Sequence, residues 1–369
     1  MSRLSVLSAL RSRPRLAALA AKLYAVAVDI DRWSYSSGLR HRYTFDGRKV
    51  IAVGNVEWGG TGKTPMAAWL ALRYASAATP LAIVSAARDE AAMLATECQT
   101  QHATVVAVPP GARKAAYAAA VVPSAVSTLV FDDACQHWPL VPHVAIGMVN
   151  PLSPHGMPHP RCAARSLAPL GTHRERAARW LASLDLVIIH HAQIAASEQR
   201  LPAAISNLEA YSVAPDKRVF SRMSDPVFRH HTEAVKAPSS PLLTSPLLLS
   251  GLGSPQAFEA TIAASLPTTS HLVHAIYDDH HAWTAAEANA LVTDAAHAGH
   301  SALLLSAKDW ARSGGVLTAA AESVGLPLVT ASAVLQISSS ATDWSAAAQA
   351  QGAAIVDSVT GLLPDGRSS

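Results

Sequence analysis

The chain has 369 residues, half of them hydrophobic but few aromatic, and a formal net charge of +3. That length is enough for two α/β domains, each with its own core, and the composition excludes a disordered or multi-spanning membrane protein. Three cysteines without a CxxC pair, Cys98, Cys135 and Cys162, exclude a disulfide framework or zinc site and fit a reducing compartment.

The charge is uneven. Ten Lys/Arg stand against Asp29, Asp31 and Asp46 up to Lys49, so this end carries +7 and the remainder −4. Residues 1–28 contain Arg3, Arg11, Arg13, Arg15 and Lys22 and no acid, the composition of an organelle transit peptide or of a basic membrane anchor. The run from Leu16 to Ile30, interrupted by Lys22, is too short to span a bilayer; it suits a helix in or against a membrane interface, or a packing helix of the main domain. No nucleic-acid partner is expected, because the basic end lacks interleaved aromatics and any nucleic-acid motif.

From Val50 the chain reads VIAVGNVEWGGTGKTP, followed by an apolar run from Met66 to Leu72. A β-branched strand enters a glycine-rich turn and leaves through Gly62-Lys63-Thr64 into a helix, the form of a phosphate cradle. Gly59, Gly60, Thr61 and Gly62 would turn backbone N–H groups onto phosphates. Lys63 would meet the β/γ oxygens, and the Thr64 hydroxyl would bind Mg²⁺ at the helix N-terminus. The strict consensus is not met, since its first glycine falls on Glu57.

Strands are expected at Pro80 to Ser85, Thr104 to Val108, Ser127 to Phe131, Val144 to Val149 and Leu184 to His190, with a helix opened by Arg88-Asp89-Glu90. This rhythm implies a P-loop NTPase-like, doubly wound parallel sheet with ligands at the strands' carboxyl ends. Asp132 and Asp133 then stand where an acid should hold or orient Mg²⁺ opposite Thr64, although paired aspartates there also suit a helix cap. The Pro/His/Arg-rich segment 150–176 is too long for a simple connector; its Arg161, Arg165, Arg174 and Arg176 are candidate phosphate contacts or a solvated basic loop.

A Pro/Ser shift at 232–246 reads as a hinge into a second, smaller α/β domain. Its strands are expected at Leu247 to Leu249, His271 to Tyr277, Ser301 to Leu305 and Leu326 to Thr330, with a capping box at Thr284 and Glu287. The expected organisation is a basic targeting or membrane-anchoring segment at 1–30, a P-loop domain at 31–240, a second domain at 241–345 and a C-terminal tail at 346–369.

Six blocks, VGNVEWGGTGKTP, FDDACQH, LGTHRER, SGLGSPQAF, YDDHH and SAKDWAR, occur in the order and with the spacing of one family. The sequence resembles the tetraacyldisaccharide 4′-kinases of lipid A biosynthesis from about residue 20 to 330. The resemblance implies two α/β domains and peripheral attachment, through the N-terminal helix, to the cytoplasmic face of a bacterial inner membrane; a eukaryotic homologue would lie in a mitochondrion or plastid. It implies transfer of the γ-phosphate of MgATP to the 4′-hydroxyl of a lipid disaccharide 1-phosphate. It also implies that Asp89 accepts the hydroxyl proton with His280 as its partner, and that Arg174 lies on the phosphate side.

The chain departs from the family where a Ser-Arg-Gly-Tyr segment is expected. Here Ser85-Ala86-Ala87 leads straight to Arg88-Asp89, and Ser306-Ala307 replaces the Thr-Glu of a Thr-Glu-Lys-Asp motif. The competing expectation is a degenerate homologue that binds nucleotide as a regulatory or scaffold protein; a carboxylate- or amine-activating ligase leaves the Asp-His-His block unexplained.

Overall fold

The computed structural model describes residues 14–98, 100–153, 156–231 and 243–362. Arg3, Arg11 and Arg13, most of the hinge expected at 232–246 and the end of the tail lie outside these residues.

Thirteen strands run through the described residues: β1 Lys49–Gly54, β2 Leu81–Ser85, β3 Ala103–Ala107, β4 Thr128–Phe131, β5 Val144–Val149, β6 Leu186–Ile189, β7 Arg218–Met223, β8 Val227–His230, β9 Leu247–Ser250, β10 Val273–Ile276, β11 Leu303–Ser306, β12 Leu328–Ser332 and β13 Leu335–Ser338. The chain forms two compact units. One comprises residues 1–86, 98–222 and 336–369; the other comprises 87–97 and 223–335.

The first unit holds an eight-stranded sheet in the order β13-β7-β6-β5-β1-β4-β2-β3. Its pairings from β7 across to β3 are all parallel. Continuous apolar strands such as Val50-Ile51-Ala52-Val53 are buried on both faces, as parallel strands covered by helices must be. Alternate residues Val50 and Ala52 join Val84, Leu129 and Phe131 in a core under Ala115 and Ala118, while Val187 and Ile189 turn to a second core around the fully buried Trp180.

The second unit has a sheet in the order β10-β9-β11-β12-β8, parallel except for β8, which runs antiparallel to β12. Leu247, Leu249, Leu303 and Leu305 face Leu317 of the helix Ala307–Val324, and Leu248 and Leu304 face Ile262 on the other side.

Four features differ from the expected organisation, the first being β13, expected in the second domain but seated beside β7 at the edge of the first sheet. The helix Arg88–Cys98, inserted between β2 and β3 of the first sheet, has its residues 88–97 in the second unit. β8, expected in the P-loop domain, joins the second sheet. The segment expected as a tail from 346 folds into the helix Ala346–Thr360, capped by the Ser345 hydroxyl and ended by left-handed Gly361, and belongs to the first unit. The periodicity identifies helices and strands, but it carries no information on which sheet an element joins.

Residues 14–30 of the segment expected at 1–30 continue to residue 36 in one helix, α1 Pro14–Ser36, within the first unit. Ala17, Ala21 and Ala25 make a small-residue face, with Ala21 and Ala25 packed against Leu167. The opposite face exposes Leu16, Leu19, Leu23, Val26, Ile30 and Trp33 at alternating spacings of three and four, a single apolar stripe. No described helix is long and apolar enough to cross a membrane.

Candidate active-site residues in the two units

The first unit builds its site at the carboxyl ends of β1, β4 and β5. Gly59 and Gly62 have φ of 107° and 85°, and Gly62 caps α2 Lys63–Tyr74. A side chain at Gly62 is also excluded by space, since an added Cβ would lie 2.6 Å from the His190 ring. Asn150, directly after β5, donates from Nδ2 to the Gly60 carbonyl at 3.2 Å. The turn is braced from the other side as well: Trp58 N–H donates to the Thr172 carbonyl and Arg174 N–H to the Val56 carbonyl, at 3.0 and 2.7 Å. Thus Gly59, Gly60, Thr61 and Gly62 stand together before Lys63 and Thr64, the first two residues of α2.

Glu57, where the strict consensus has glycine, is buried and accepts hydrogen bonds from Ser153 and Thr172 at 2.7 and 3.2 Å. Burial pushes its carboxyl up to about 7 despite these bonds and the nearby Lys63 charge. Glu57 therefore fastens the loop base to the 153–172 segment.

The paired aspartates have different partners. Thr64 Oγ1 donates to Asp132 Oδ2 at 3.1 Å, with both residues buried. Asp133, in left-handed backbone, receives Arg174 Nη1 on both oxygens at 2.7 and 2.9 Å and has Lys63 Nζ 3.8 Å away. Lys114 donates to the carbonyls of both aspartates. Burial alone would raise the Asp133 carboxyl, but Lys63, Arg174 and Lys114 outweigh it and hold it at about 2. A buried hydroxyl and carboxylate oxygen, with phosphate oxygens, form the hard donor set that Mg²⁺ takes; Thr64 and Asp132 fit that ion, and Asp133 organises the cations beside it.

Arg174 also ties this region to α1. Tyr24 donates to its carbonyl at 2.8 Å, its guanidinium lies 5.1 Å from the Trp58 ring centroid, and the following Glu175 pairs with Arg32 at 3.0 Å.

The second unit contains the other expected pair. His280 Nδ1 lies 2.9 Å from Asp89 Oδ2 although 191 residues separate them, and Arg312 donates to the same oxygen from Nη2 at 2.5 Å and Nε at 3.2 Å. Arg312 is fixed by Asp309, whose carboxylate accepts from the hydroxyl of the helix-capping Ser306 and from Gly251 N–H. Lys308 pairs with the neighbouring Glu90 at 3.1 Å. Among the described residues every hydrogen bond of the Asp89 carboxylate falls on Oδ2, leaving Oδ1 for another donor.

Burial would raise the Asp89 carboxyl, but the His280 and Arg312 hydrogen bonds and the Lys308 charge hold it well below 3.8. The Asp89 hydrogen bond, working against burial and Lys308, raises His280 above 6.5. The His280 contribution is full below 6.5 and lost as pH rises through its folded value; the Asp89 contribution is present above 3.8 and lost as pH falls through its own. The melting temperatures of the parent and of His280→Asn are therefore expected to differ most between pH 3.8 and 6.5 and to converge at alkaline pH. A gap that widens with rising pH in thermal melts would contradict the pairing.

The sequence reading missed Asn150, His190 and Arg312. Two carried a usable signal, since Asn150 and His190 end or follow strands where an α/β sheet binds ligands. Arg312 lies one helical turn beyond Lys308 in the SAKDWAR block.

The family model for tetraacyldisaccharide-1-P 4′-kinase matches residues 14–88 and 83–347. The chain belongs to this kinase family. The two matched stretches overlap at residues 83–88, where Ser85-Ala86-Ala87 leads into Arg88. A tetraacyldisaccharide 4′-kinase of Anaeromyxobacter dehalogenans is 31% identical over 297 residues, covering 74% of this chain and 75% of the relative. A probable mitochondrial tetraacyldisaccharide 4′-kinase of Arabidopsis thaliana is 28% identical over 304 residues, with coverage of 72% and 71%. The "apo" form of LpxK from Aquifex aeolicus, in a crystal structure in complex with ATP, superposes with a TM-score of 0.51 over 86% of this chain and 92% of that one; at 16% identity this likeness establishes the fold.

Proposed function

We propose that this kinase transfers the γ-phosphate of ATP to the 4′-hydroxyl of a tetraacyldisaccharide 1-phosphate, in lipid A biosynthesis. The observation that carries the reading is the Asp89–His280–Arg312 cluster, which a protein that only bound nucleotide would not need. Phosphoryl transfer asks for positioning, charge neutralisation and an acceptor for the hydroxyl proton. The first unit supplies the phosphate loop, Lys63 and the Thr64–Asp132 corner, where Mg²⁺ when bound neutralises phosphate charge. In the second unit Arg312 and His280 hold Oδ2, so Oδ1 of Asp89 takes the proton of the 4′-hydroxyl as its oxygen bonds to phosphorus and ADP leaves.

The test is incubation of the full chain with γ-labelled ATP, Mg²⁺ and the lipid acceptor in mixed micelles. Label on the 4′ position of the lipid supports the reading. Mg²⁺-dependent ATP binding without lipid labelling would favour the regulatory alternative, with the shortened segment after Ser85 as its cause.

The acceptor is membrane-borne, and α1 supports peripheral binding: its apolar stripe is exposed while its alanine face is docked. Leu23→Glu with Ile30→Glu is expected to move the protein from the vesicle pellet to the supernatant in sedimentation with anionic liposomes, without lowering its melting temperature. Cosedimentation equal to the parent's would contradict the assignment.

A further inference from the structure

Asn55 follows β1 directly and is fully buried, yet neither its amide nitrogen nor its amide oxygen has a hydrogen-bond partner among the described residues. Thr61, six positions on in the same loop and also buried, has an unpartnered hydroxyl. In the unfolded chain these groups bond to water, so burying them unpaired opposes folding. In native proteins such groups are completed by a bound ligand, an ion or an ordered water.

The place of Asn55 is fixed by its neighbours. β1 lies between β4 and β5, with Ala52 beside Phe131 and Gly54 beside Gly147, and Ala134 N–H donates to the Val53 carbonyl. Asn55 thus stands at the strand end flanked by the Asp132-Asp133 turn, at the root of the phosphate loop. Thr61 sits between Gly60, whose carbonyl Asn150 holds, and the left-handed Gly62.

We propose that Asn55 and Thr61 are ligand-binding residues whose partners are the phosphate end of the nucleotide and its hydrated cation. An amide needs both an acceptor for its N–H₂ and a donor for its oxygen. A phosphate oxygen supplies the first and a cation-bound water the second, whereas phosphate alone would leave Oδ1 unpaired. The Thr61 hydroxyl serves either. This rests on the nucleotide reading above and adds two side chains to it. The loop is then held short of its full stability until MgATP arrives.

Thermal melts and equilibrium ATP binding on the full chain test this, with parent, Asn55→Leu and Thr61→Val, each without ligand, with ATP plus EDTA and with MgATP. The near-isosteric variants remove the polar atoms while keeping bulk. They are expected to melt at or above the parent temperature without ligand, to lose most of the MgATP-induced rise, and to bind MgATP about tenfold more weakly or worse. For Asn55→Leu the loss is expected to be larger with Mg²⁺ than with EDTA. Variants that melt lower without ligand but keep the full MgATP-induced rise would overturn the proposal, since a buried water in the fold would then satisfy these groups. A parent that shows no MgATP-induced rise would overturn the nucleotide reading itself.

Discussion

Asp89→Asn is expected to lower turnover by about 10²–10⁴-fold, the range for removal of a positioned proton acceptor, with ATP affinity nearly unchanged. The amide keeps the size of the carboxyl and can still accept from His280 and Arg312 on one oxygen, so the unit stays folded while the proton has nowhere to go. ATP affinity is spared because the phosphate loop, Lys63, Thr64 and Asp132 belong to the first unit, whereas Asp89 and its partners belong to the second. Asp89→Ala should be as slow and less stable, since it removes one of the two carboxylates paired with Arg312, which is only 8% exposed. An ATP dissociation constant that rises in step with the loss of turnover would place Asp89 on the nucleotide.

Lys63→Ala is expected to weaken ATP binding and to lower turnover by about 10²–10³-fold, because in the proposed reaction its charge would meet phosphate both before and during transfer. The paired aspartates should then part company. Asp132→Asn weakens the buried corner with Thr64 and should raise the Mg²⁺ concentration giving half-maximal turnover by about 10–100-fold. Asp133→Asn removes the carboxylate that Arg174 and Lys63 share, so it should act through ATP affinity with little change in Mg²⁺ dependence. Titrating Mg²⁺ at saturating ATP separates the two; identical Mg²⁺ shifts would contradict the division between Asp132 and Asp133.

Much of this was legible in the sequence where chemistry depends on adjacent residues. The run from Gly59 to Thr64 carries its own turn and helix start, and β-branched runs marked β1, β2 and β4. Strand-helix-strand rhythm also gave the parallel first sheet. It misplaced the helix Arg88–Cys98, because a helix between two strands of one sheet is taken to cover that sheet. This helix instead has its first-turn acids, Asp89 and Glu90, paired with His280, Arg312 and Lys308 of the second unit. The consequence is chemical. Asp89 and His280, expected from different domains, belong to one unit, so their pairing is a property of that unit's own fold. Arg312 stayed hidden because its partner is remote in sequence, and Glu57 because a carboxylate in a glycine position reads as a defect until Ser153 and Thr172 are seen beside it.

A double-mutant cycle on the proton-handling pair, read as single-turnover transfer of label from saturating MgATP to the lipid disaccharide, tests the mechanism at its decisive step. The parent, Asp89→Asn, His280→Ala and the double variant are compared. If His280 acts through Asp89, the double variant transfers label no more slowly than Asp89→Asn alone. Multiplying losses, or parental transfer by Asp89→Asn, would contradict the assignment of the hydroxyl proton to this pair.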